Sequence, residues 1–269
     1  MSTLHIFGDS FAEDFASSWT RQVAASHDLE VCNYSKGGTS IEWSMLQFLK
    51  APFTPGDIVV FVLTNSSRFD IEPYISITPS MAYTAKEVHE LTDDNLTWYI
   101  KNRSQDLLDL KPTMYSSLIH SVSTTNPGVK FLVVSAFPDS KNTSIVRKTD
   151  NFIVMDGTSL NEISHYEMNE IKLNPYMLYN ICGKDPRVNH LTMTNHNNLS
   201  KVMNQTIDGW DASSFVIHNF TKNVIDKKVS TLEDMHTYYV DTGLFDKEWV
   251  ASVTMPVVKV RKSFWDIFR

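Results

Sequence analysis

The chain has 269 residues, of which 42% are hydrophobic and 20% are charged. That balance is typical of a globular protein and excludes a wholly disordered chain, a coiled coil and a collagen-like fibre. The 24 basic and 31 acidic residues give a net charge of −7 without a lysine or arginine cluster, which disfavours nucleic-acid binding because phosphate neutralisation dominates that affinity.

Three short segments in the first 64 residues are predicted to be β-strands, the second because it alternates like a half-buried strand. They cover residues 4–7, 29–34 and 57–64, and the third is apolar almost throughout. Continuous apolar strands suit a sheet that is covered on both faces, as parallel sheets are. Because helical patterns separate these strands, the β-α-β-α-β order predicts a parallel sheet flanked by helices.

Two helical patterns lie between these strands. The first places apolar side chains four residues apart from Phe15 to Val23. The second follows a glycine turn, and Thr39 or Ser40 could cap a helix that begins with Ile41. Each pattern predicts a helix with one apolar face turned toward the sheet.

The rest of the chain is predicted to extend the sheet and then to end in a segment without the α/β pattern. Residues 65–95 are irregular in pattern and are interpreted as an insertion or lid-like loop. Further elements are expected in the order helix, strand, strand, helix, helix, at residues 96–122, 129–137, 152–155, 159–178 and 195–208. We therefore expect an α/β domain over residues 1–208 and an aromatic-rich extension over residues 209–269, which packs on the domain or on a partner.

A serine follows the first predicted strand directly, in the tripeptide Gly8-Asp9-Ser10. A serine on such a sharp strand-to-helix turn exposes its hydroxyl, and backbone N–H groups at the helix start lie near it to stabilise an oxyanion. Ser10 is therefore a candidate nucleophile. The alternative is an ordinary turn in which Asp9 or Ser10 caps the helix.

Two further polar positions follow the second and third predicted strands. Gly38 could present a backbone N–H there, and Asn65 could present a side-chain amide. Ligands of open α/β sheets bind at the carboxyl ends of the strands, so both groups are expected to converge with Ser10. Both residues also suit ordinary turns, and the lack of a Walker-type sequence disfavours a phosphate-binding loop at Gly38.

A histidine late in the α/β pattern completes this set of polar groups. His190 stands in a loop before the last predicted helix of the domain, where it could act as a general base toward a serine hydroxyl. A carboxylate would orient its other ring nitrogen. Alternatively, His190 is a solvated loop residue, or it pairs with His196 as metal ligands, although no third ligand stands near them in the sequence.

Together these segments resemble the SGNH/GDSL hydrolase superfamily. Four of its sequence blocks have counterparts here in the same order, at residues 8–11, 33–38, 64–65 and 189–191. In these blocks the family carries its nucleophile, an oxyanion-hole glycine, an oxyanion-hole asparagine and its catalytic base, which correspond in turn to Ser10, Gly38, Asn65 and His190. The resemblance covers about residues 3–208 and leaves the extension outside.

Three positions depart from the family pattern. Ser35 and Leu63 stand where the family often has glycine. The family's Asp-x-x-His is replaced by a sequence with Arg187 three residues before His190. Asp185 would then have to reach the imidazole, or a backbone carbonyl orients it in a Ser–His dyad. The second histidine, six residues further on, is the fallback base.

The resemblance implies a three-layer α/β/α, flavodoxin-like fold with about five parallel strands. It also implies ester hydrolysis through an acyl-enzyme, with no metal or organic cofactor. His190 would take the Ser10 proton as Ser10 attacks the carbonyl, and the backbone N–H groups of Ser10 and Gly38 and the Asn65 amide would hold the oxyanion. The expected substrate is a small-molecule or carbohydrate ester with a small acyl group such as acetyl.

Two other classes of function stay open from the sequence. The missing aspartate and the aromatic extension also fit a catalytically silent fold of this kind, used for binding or virion assembly, with the extension contacting a partner or another copy. A nucleotide or phosphate binder would need free backbone donors at Gly37 and Gly38. No apolar run approaches the roughly 18 residues of a membrane span, and no signal peptide is recognisable, so a cytoplasmic or virion-associated protein is expected.

Overall fold

A five-stranded, all-parallel β-sheet forms the centre of the computed structural model. The structure describes residues 1–72, 75–77, 105–141, 146–155, 157–167, 191, 193–213 and 215–221. Helices cover both faces of the sheet, so the three-layer α/β fold expected from the sequence is confirmed.

Five strands in the described residues follow the predicted strand segments, and two more lie in the segment that was predicted to be an irregular insertion. They are β1 (Thr3–Phe7), β2 (Glu30–Asn33), β3 (Ile58–Leu63), β4 (Phe69–Glu72), β5 (Ile75–Ile77), β6 (Lys130–Ser135) and β7 (Phe152–Met155). The sheet has the order β2-β1-β3-β6-β7, and β4 and β5 form a separate antiparallel pair. The chain therefore builds outward from β1 first in one direction and then in the other, which creates a topological switch point between β1 and β3.

The helices pack on the sheet in two groups. In chain order they are α1 (Trp19–Ser26), α2 (Ile41–Phe48), α3 (Gln105–Thr125), α4 (Leu160–Glu167) and α5 (Met193–Gly209). Buried side chains of α1, α4 and α5 share one apolar core, and those of α2 and α3 share the other. Among the described helices, none combines the length and the apolar character needed to cross a membrane.

β3 is buried on both faces, as its continuous apolar sequence predicts. All of its residues from Ile58 to Leu63 are buried. Residues at even positions pack toward α1, α4 and α5, and residues at odd positions pack toward α2 and α3. This alternation lets one strand contribute to both cores.

The first two helices begin where a serine caps them. Ser18 accepts a hydrogen bond from the backbone N–H of Arg21, so α1 begins at Trp19. The prediction that Phe15 belongs to this helix is therefore wrong. The second helix is capped by Ser40, whose hydroxyl accepts the N–H of Trp43 at 3.1 Å.

The predicted insertion at residues 65–95 begins with regular structure. β4 and β5 pair antiparallel there, with an irregularity in register between Asp70 and Glu72. The rest of the predicted lid, residues 73–74 and 78–95, lies outside the described residues. The following helix is described from Gln105 and contains Pro112 in its interior.

The start of the C-terminal extension packs against the domain. Phe215 and Phe220 are buried in the core shared by α1, α4 and α5. The indole N–H of Trp210 donates to the Thr149 carbonyl at 2.9 Å, and the Lys130 ammonium lies 5.0 Å from the indole ring centroid. These contacts hold residues 210–220 against the domain. Residues 222–269 lie outside the described part.

The end of β1 approaches β3 so closely that a side chain does not fit. Gly8 has a φ of +151°, and a Cβ atom there would lie 2.7 Å from Cβ of Val62 and 3.0 Å from its carbonyl oxygen. Both obstacles belong to the central strand β3, which is buried and is paired with a strand on each side. Glycine is therefore required where the chain turns toward the candidate nucleophile.

We expect Gly8→Ala to lower the free energy of unfolding by about 1–3 kcal/mol, because its methyl group overpacks the junction of β1 and β3. The matched control is Gly209→Ala, in α5, where nothing lies within 4 Å of a new Cβ atom. The control should leave stability unchanged or raise it by up to about 1 kcal/mol. Urea unfolding of both variants measures this, and equal stabilities would contradict the steric argument.

Candidate active site

Three loops meet at the carboxyl-terminal edge of the sheet. Loop 1 comprises residues 8–18 after β1, loop 2 residues 34–40 after β2, and loop 3 residues 64–68 after β3. β1 lies between β2 and β3, and all three strands are parallel. The loops therefore emerge side by side, and loops 1 and 3 flank the switch point, where open α/β sheets bind their ligands.

Loop 1 begins with a short 3-10 helix that contains the candidate nucleophile. This helix covers Ser10–Ala12, and the side chain of Asp9 caps it by accepting the N–H of Phe11 at 3.1 Å. The capping turn offered as an alternative is thus real, and it leaves Ser10 partly exposed. Capping by the neighbouring residue and exposure of the serine are compatible features of the same turn.

Loop 2 is hydrogen-bonded directly to loop 1. The side-chain amide of Asn33, at the end of β2, donates to the Ala12 carbonyl at 2.7 Å. The Ser35 hydroxyl donates to the same carbonyl at 2.7 Å, and the N–H of Lys36 donates to the carbonyl of Gly8 at 3.1 Å. Ser35, one of the departures from the family pattern, therefore supplies a contact that glycine lacks.

Gly38 faces open space. Its φ is +80°, and nothing lies within 4 Å of the position that a Cβ atom would take. The preceding residue, Gly37, donates its N–H to the Glu13 carboxylate at 2.6 Å. That contact uses one of the donors that a phosphate would need and places a carboxyl group beside the loop. The geometry thus disfavours the nucleotide- or phosphate-binding alternative.

Asn65 is oriented by an internal turn in loop 3. Its Oδ1 accepts the backbone N–H of Ser67 at 2.8 Å and also the Ser67 hydroxyl. These contacts fix the orientation of the amide, and Nδ2 is its donating end. Among the described residues Nδ2 has no hydrogen-bond partner. Asn65 is thus both a turn residue and a candidate oxyanion donor.

A buried carboxylate connects loop 1 with loop 3. Asp9 is fully buried, and its Oδ2 accepts the Thr64 hydroxyl at 2.6 Å. Asp9 precedes Ser10 in the chain, and Thr64 precedes Asn65. Together with the bonds between loops 1 and 2, this contact puts all three predicted positions of the nucleophile and oxyanion hole on one connected set of loops.

The geometry argues against His196 as the fallback base. Its Nδ1 accepts the backbone N–H of Trp19 at 3.3 Å, and the Phe15 ring packs edge-on against it at 5.0 Å. Burial lowers the pKa of His196 to about 3, so the ring is neutral at pH 7. The nitrogen that could accept a proton already satisfies the first N–H of α1. His196 therefore supports the helix start and is not positioned for catalysis.

The other predicted members of the site lie outside the described residues. These are His190, the candidate base, Asp185, its candidate orienting carboxylate, and Arg187, which replaces the family's aspartate. Their roles stay predictions. The metal-ligand alternative is weakened by the bonded Nδ1 of His196. In the described part of the chain, no group of three or more His, Cys, Asp or Glu side chains is placed to hold a metal ion.

Sequence analysis missed two charged residues that the structure brings into this region. Glu13 binds loop 2, and Arg68 donates to the buried Asp9 carboxylate at 3.0 Å. A usable signal was present for the second contact. An aspartate at the end of a buried central strand requires a cationic or hydrogen-bonding partner, and Arg68 follows the neighbouring strand.

Comparisons of the chain with protein-family models, with curated proteins and with solved structures found no match. The functional interpretation of the site therefore depends on the geometry of its own residues.

The structural role of His196 can be tested through the pH dependence of the free energy of unfolding. Its folded pKa is below the unfolded value of 6.5, so the unfolded chain binds a proton first as the pH falls. The stabilisation is complete above pH 6.5 and is lost progressively toward pH 3. We expect the wild type to lose about 2 kcal/mol of stability through His196 between pH 7 and pH 5.

The variant His196→Asn keeps an acceptor near the Nδ1 position but does not titrate. It should be less stable than the wild type at pH 7 because ring packing is lost, and its stability should fall less toward pH 5. His5, whose pKa is also lowered by burial, contributes with the same sign in both proteins. Urea unfolding at the two pH values measures the difference, and parallel pH dependences would contradict this assignment.

Proposed function

We propose that the chain is a serine ester hydrolase of the SGNH/GDSL kind that acts through an acyl-enzyme. One observation supports this most strongly: three connected loops at the switch point carry a hydroxyl, an unobstructed glycine and an oriented amide. These are the positions of Ser10, Gly38 and Asn65. A nucleophile beside preorganised donors is what acyl transfer requires.

The proposed reaction begins with attack of the Ser10 oxygen on the ester carbonyl carbon. His190 accepts the hydroxyl proton and then gives it to the leaving alkoxide as the carbon–oxygen bond breaks. The N–H groups of Ser10 and Gly38 and the Asn65 amide stabilise the negative oxygen of the tetrahedral intermediate. Water then attacks the acyl-enzyme with His190 as base, releasing the acid and restoring Ser10.

The base is the part of the proposal that depends on sequence. His190 follows Asp185 by five residues, and either that carboxylate or a backbone carbonyl orients the imidazole. The exclusion of His196 by its bond to Trp19 supports His190 as the histidine in this role. The preference for a small acyl group such as acetyl, carried on a carbohydrate or another small alcohol, comes from the family resemblance.

The decisive variant is Ser10→Ala, compared with the wild type and with Ser121→Ala, which removes an exposed hydroxyl on α3. The measurements are hydrolysis of p-nitrophenyl acetate and covalent labelling by a fluorophosphonate. We expect hydrolysis and labelling in the wild type and in Ser121→Ala. Both should vanish in Ser10→Ala, because the nucleophilic oxygen is missing.

A folded wild-type protein that neither hydrolyses the ester nor reacts with the fluorophosphonate would contradict the enzymatic proposal. That result would favour the silent fold used in binding or assembly. Turnover that survives in Ser10→Ala would show that another group performs the chemistry.

Asn65→Asp tests the oxyanion hole separately. The aspartate keeps an oxygen for the Ser67 contacts, so the turn is preserved, but it replaces the donating amide by an oxygen. We expect kcat to fall by at least about 100-fold with little change in KM, because the lost donor acts on charge that develops in the transition state. Steady-state kinetics with p-nitrophenyl acetate measure this. An unchanged kcat would remove Asn65 from the site.

A further inference from the structure

We propose that Arg68 is the positioning residue of this site, and that its guanidinium holds loops 1, 2 and 3 in one arrangement. The inference rests on the proposed function, because it assigns the origin of the oxyanion hole's geometry. It adds a residue that lies outside the four sequence blocks that correspond to those of the family.

One nitrogen of Arg68 reaches all three loops. Nη1 donates to the Asp9 carboxylate at 3.0 Å in loop 1 and to the Thr39 carbonyl at 3.1 Å in loop 2. It also donates to the Thr64 hydroxyl at 2.8 Å in loop 3. The Thr64 hydroxyl in turn donates to Asp9, so the contacts form a closed network.

Each partner of Arg68 is the sequence neighbour of a proposed catalytic group. Asp9 precedes the nucleophile, Thr39 follows the oxyanion-hole glycine, and Thr64 precedes the oxyanion-hole asparagine. A shift of any one partner therefore moves the adjacent functional group. The guanidinium sets the relative position of three groups that come from three separate strand ends.

The surroundings of Arg68 keep the network rigid. Its side chain is 15% exposed, and its guanidinium carbon lies 5.2 Å from the Phe137 ring centroid. The Lys111 ammonium donates to the carbonyls of Ser66 and Arg68 at 3.1 and 3.0 Å, which fixes the backbone of loop 3. Because Asp9 is fully buried, these charge-assisted bonds act where little water screens them.

The chemistry of the network requires arginine. Its guanidinium is planar and directs its N–H groups at fixed angles, so one end can serve several acceptors at once. A lysine ammonium would keep a positive charge near Asp9, but it lacks that fixed geometry. A lysine at this position would therefore preserve the contact with loop 1 through its charge, but its contacts with loops 2 and 3 would be weaker.

Arg68 acts through the loops in this proposal. Nη1 shares its two hydrogens among three protein acceptors, and the charge of the guanidinium is balanced by Asp9. Removal of Arg68 should therefore impair transition-state stabilisation more than substrate affinity.

The kinetic test compares the wild type with Arg68→Met and Arg68→Lys on p-nitrophenyl acetate. Arg21→Met is the matched control, because the ion pair of Arg21 with Asp14 joins loop 1 to α1 and contains no residue of loop 2 or loop 3. We expect Arg68→Met to lower kcat by about 100-fold with KM changed less than about threefold, since small misplacements of reacting groups have effects of this size. The kcat of Arg68→Lys should lie between those of Arg68→Met and the wild type, and the kcat of Arg21→Met should equal that of the wild type.

Amide hydrogen exchange provides a measurement that needs no activity. In Arg68→Met, exchange of the amides in loops 1, 2 and 3 should accelerate together, while exchange in α5 stays as in the wild type. In Arg68→Lys the acceleration should be greatest in loops 2 and 3. If Arg68→Met exchanges rapidly throughout the chain because it unfolds, the lysine variant decides the question.

The outcomes separate this inference from the proposed function. If the wild type shows no hydrolysis that depends on Ser10, the proposed hydrolase is refuted. The exchange data alone then decide whether Arg68 positions the loops. Wild-type kcat and wild-type exchange in Arg68→Lys would overturn the inference, because the ion pair with Asp9 would then suffice. A raised KM with an unchanged kcat in Arg68→Met would also overturn the inference, because Arg68 would then bind substrate directly.

Discussion

The burial of one carboxylate determines how this edge of the sheet is organised. Asp9 lies just after β1, next to the central strand β3, and is fully buried. A buried charge costs several kcal/mol unless it is paired and hydrogen-bonded. Its partners come from different segments: the Phe11 N–H, the Thr64 hydroxyl and the Arg68 guanidinium. Satisfying one side chain therefore draws loops 1 and 3 together, and Arg68 extends the connection to loop 2.

The topology of the sheet makes that arrangement attainable. The close approach of Gly8 to β3 brings loop 1 within reach of Thr64, and the order β2-β1-β3 places loop 2 on the other side of loop 1. The polar contacts of Asp9, Thr64 and Arg68 then fix the distances between the loops, which strand packing alone leaves adjustable. A rigid scaffold with short connected loops is the condition under which donors can be preorganised for a developing charge.

Much of this organisation could be predicted from local sequence patterns, and the remainder depends on contacts between distant segments. β3 was predictable because a continuous apolar run suits burial on both faces, and α2 because Ser40 precedes an apolar stripe. The start of α1 was mispredicted because the spacing of Phe15 mimics a helix, whereas Ser18 provides the actual cap. Arg68 was missed although the need of Asp9 for a partner was a usable signal, and the sequence gives no local sign that the same guanidinium also reaches the Thr39 carbonyl. The partnership of His196 with Trp19 spans 177 residues and has no local signal.

The strand order also has a consequence for how the protein forms. β1 pairs with β2 on one side and with β3 on the other, and these strands together with loop 3 are complete by residue 68. Pairings between segments close in sequence form faster than distant ones, and chains emerge from the ribosome amino terminus first. The loops that carry Ser10, Gly38 and Asn65 thus belong to the earliest part of the chain able to assemble. The proposed base stands more than a hundred residues later in the chain, so it joins strands and loops that can already pair with one another.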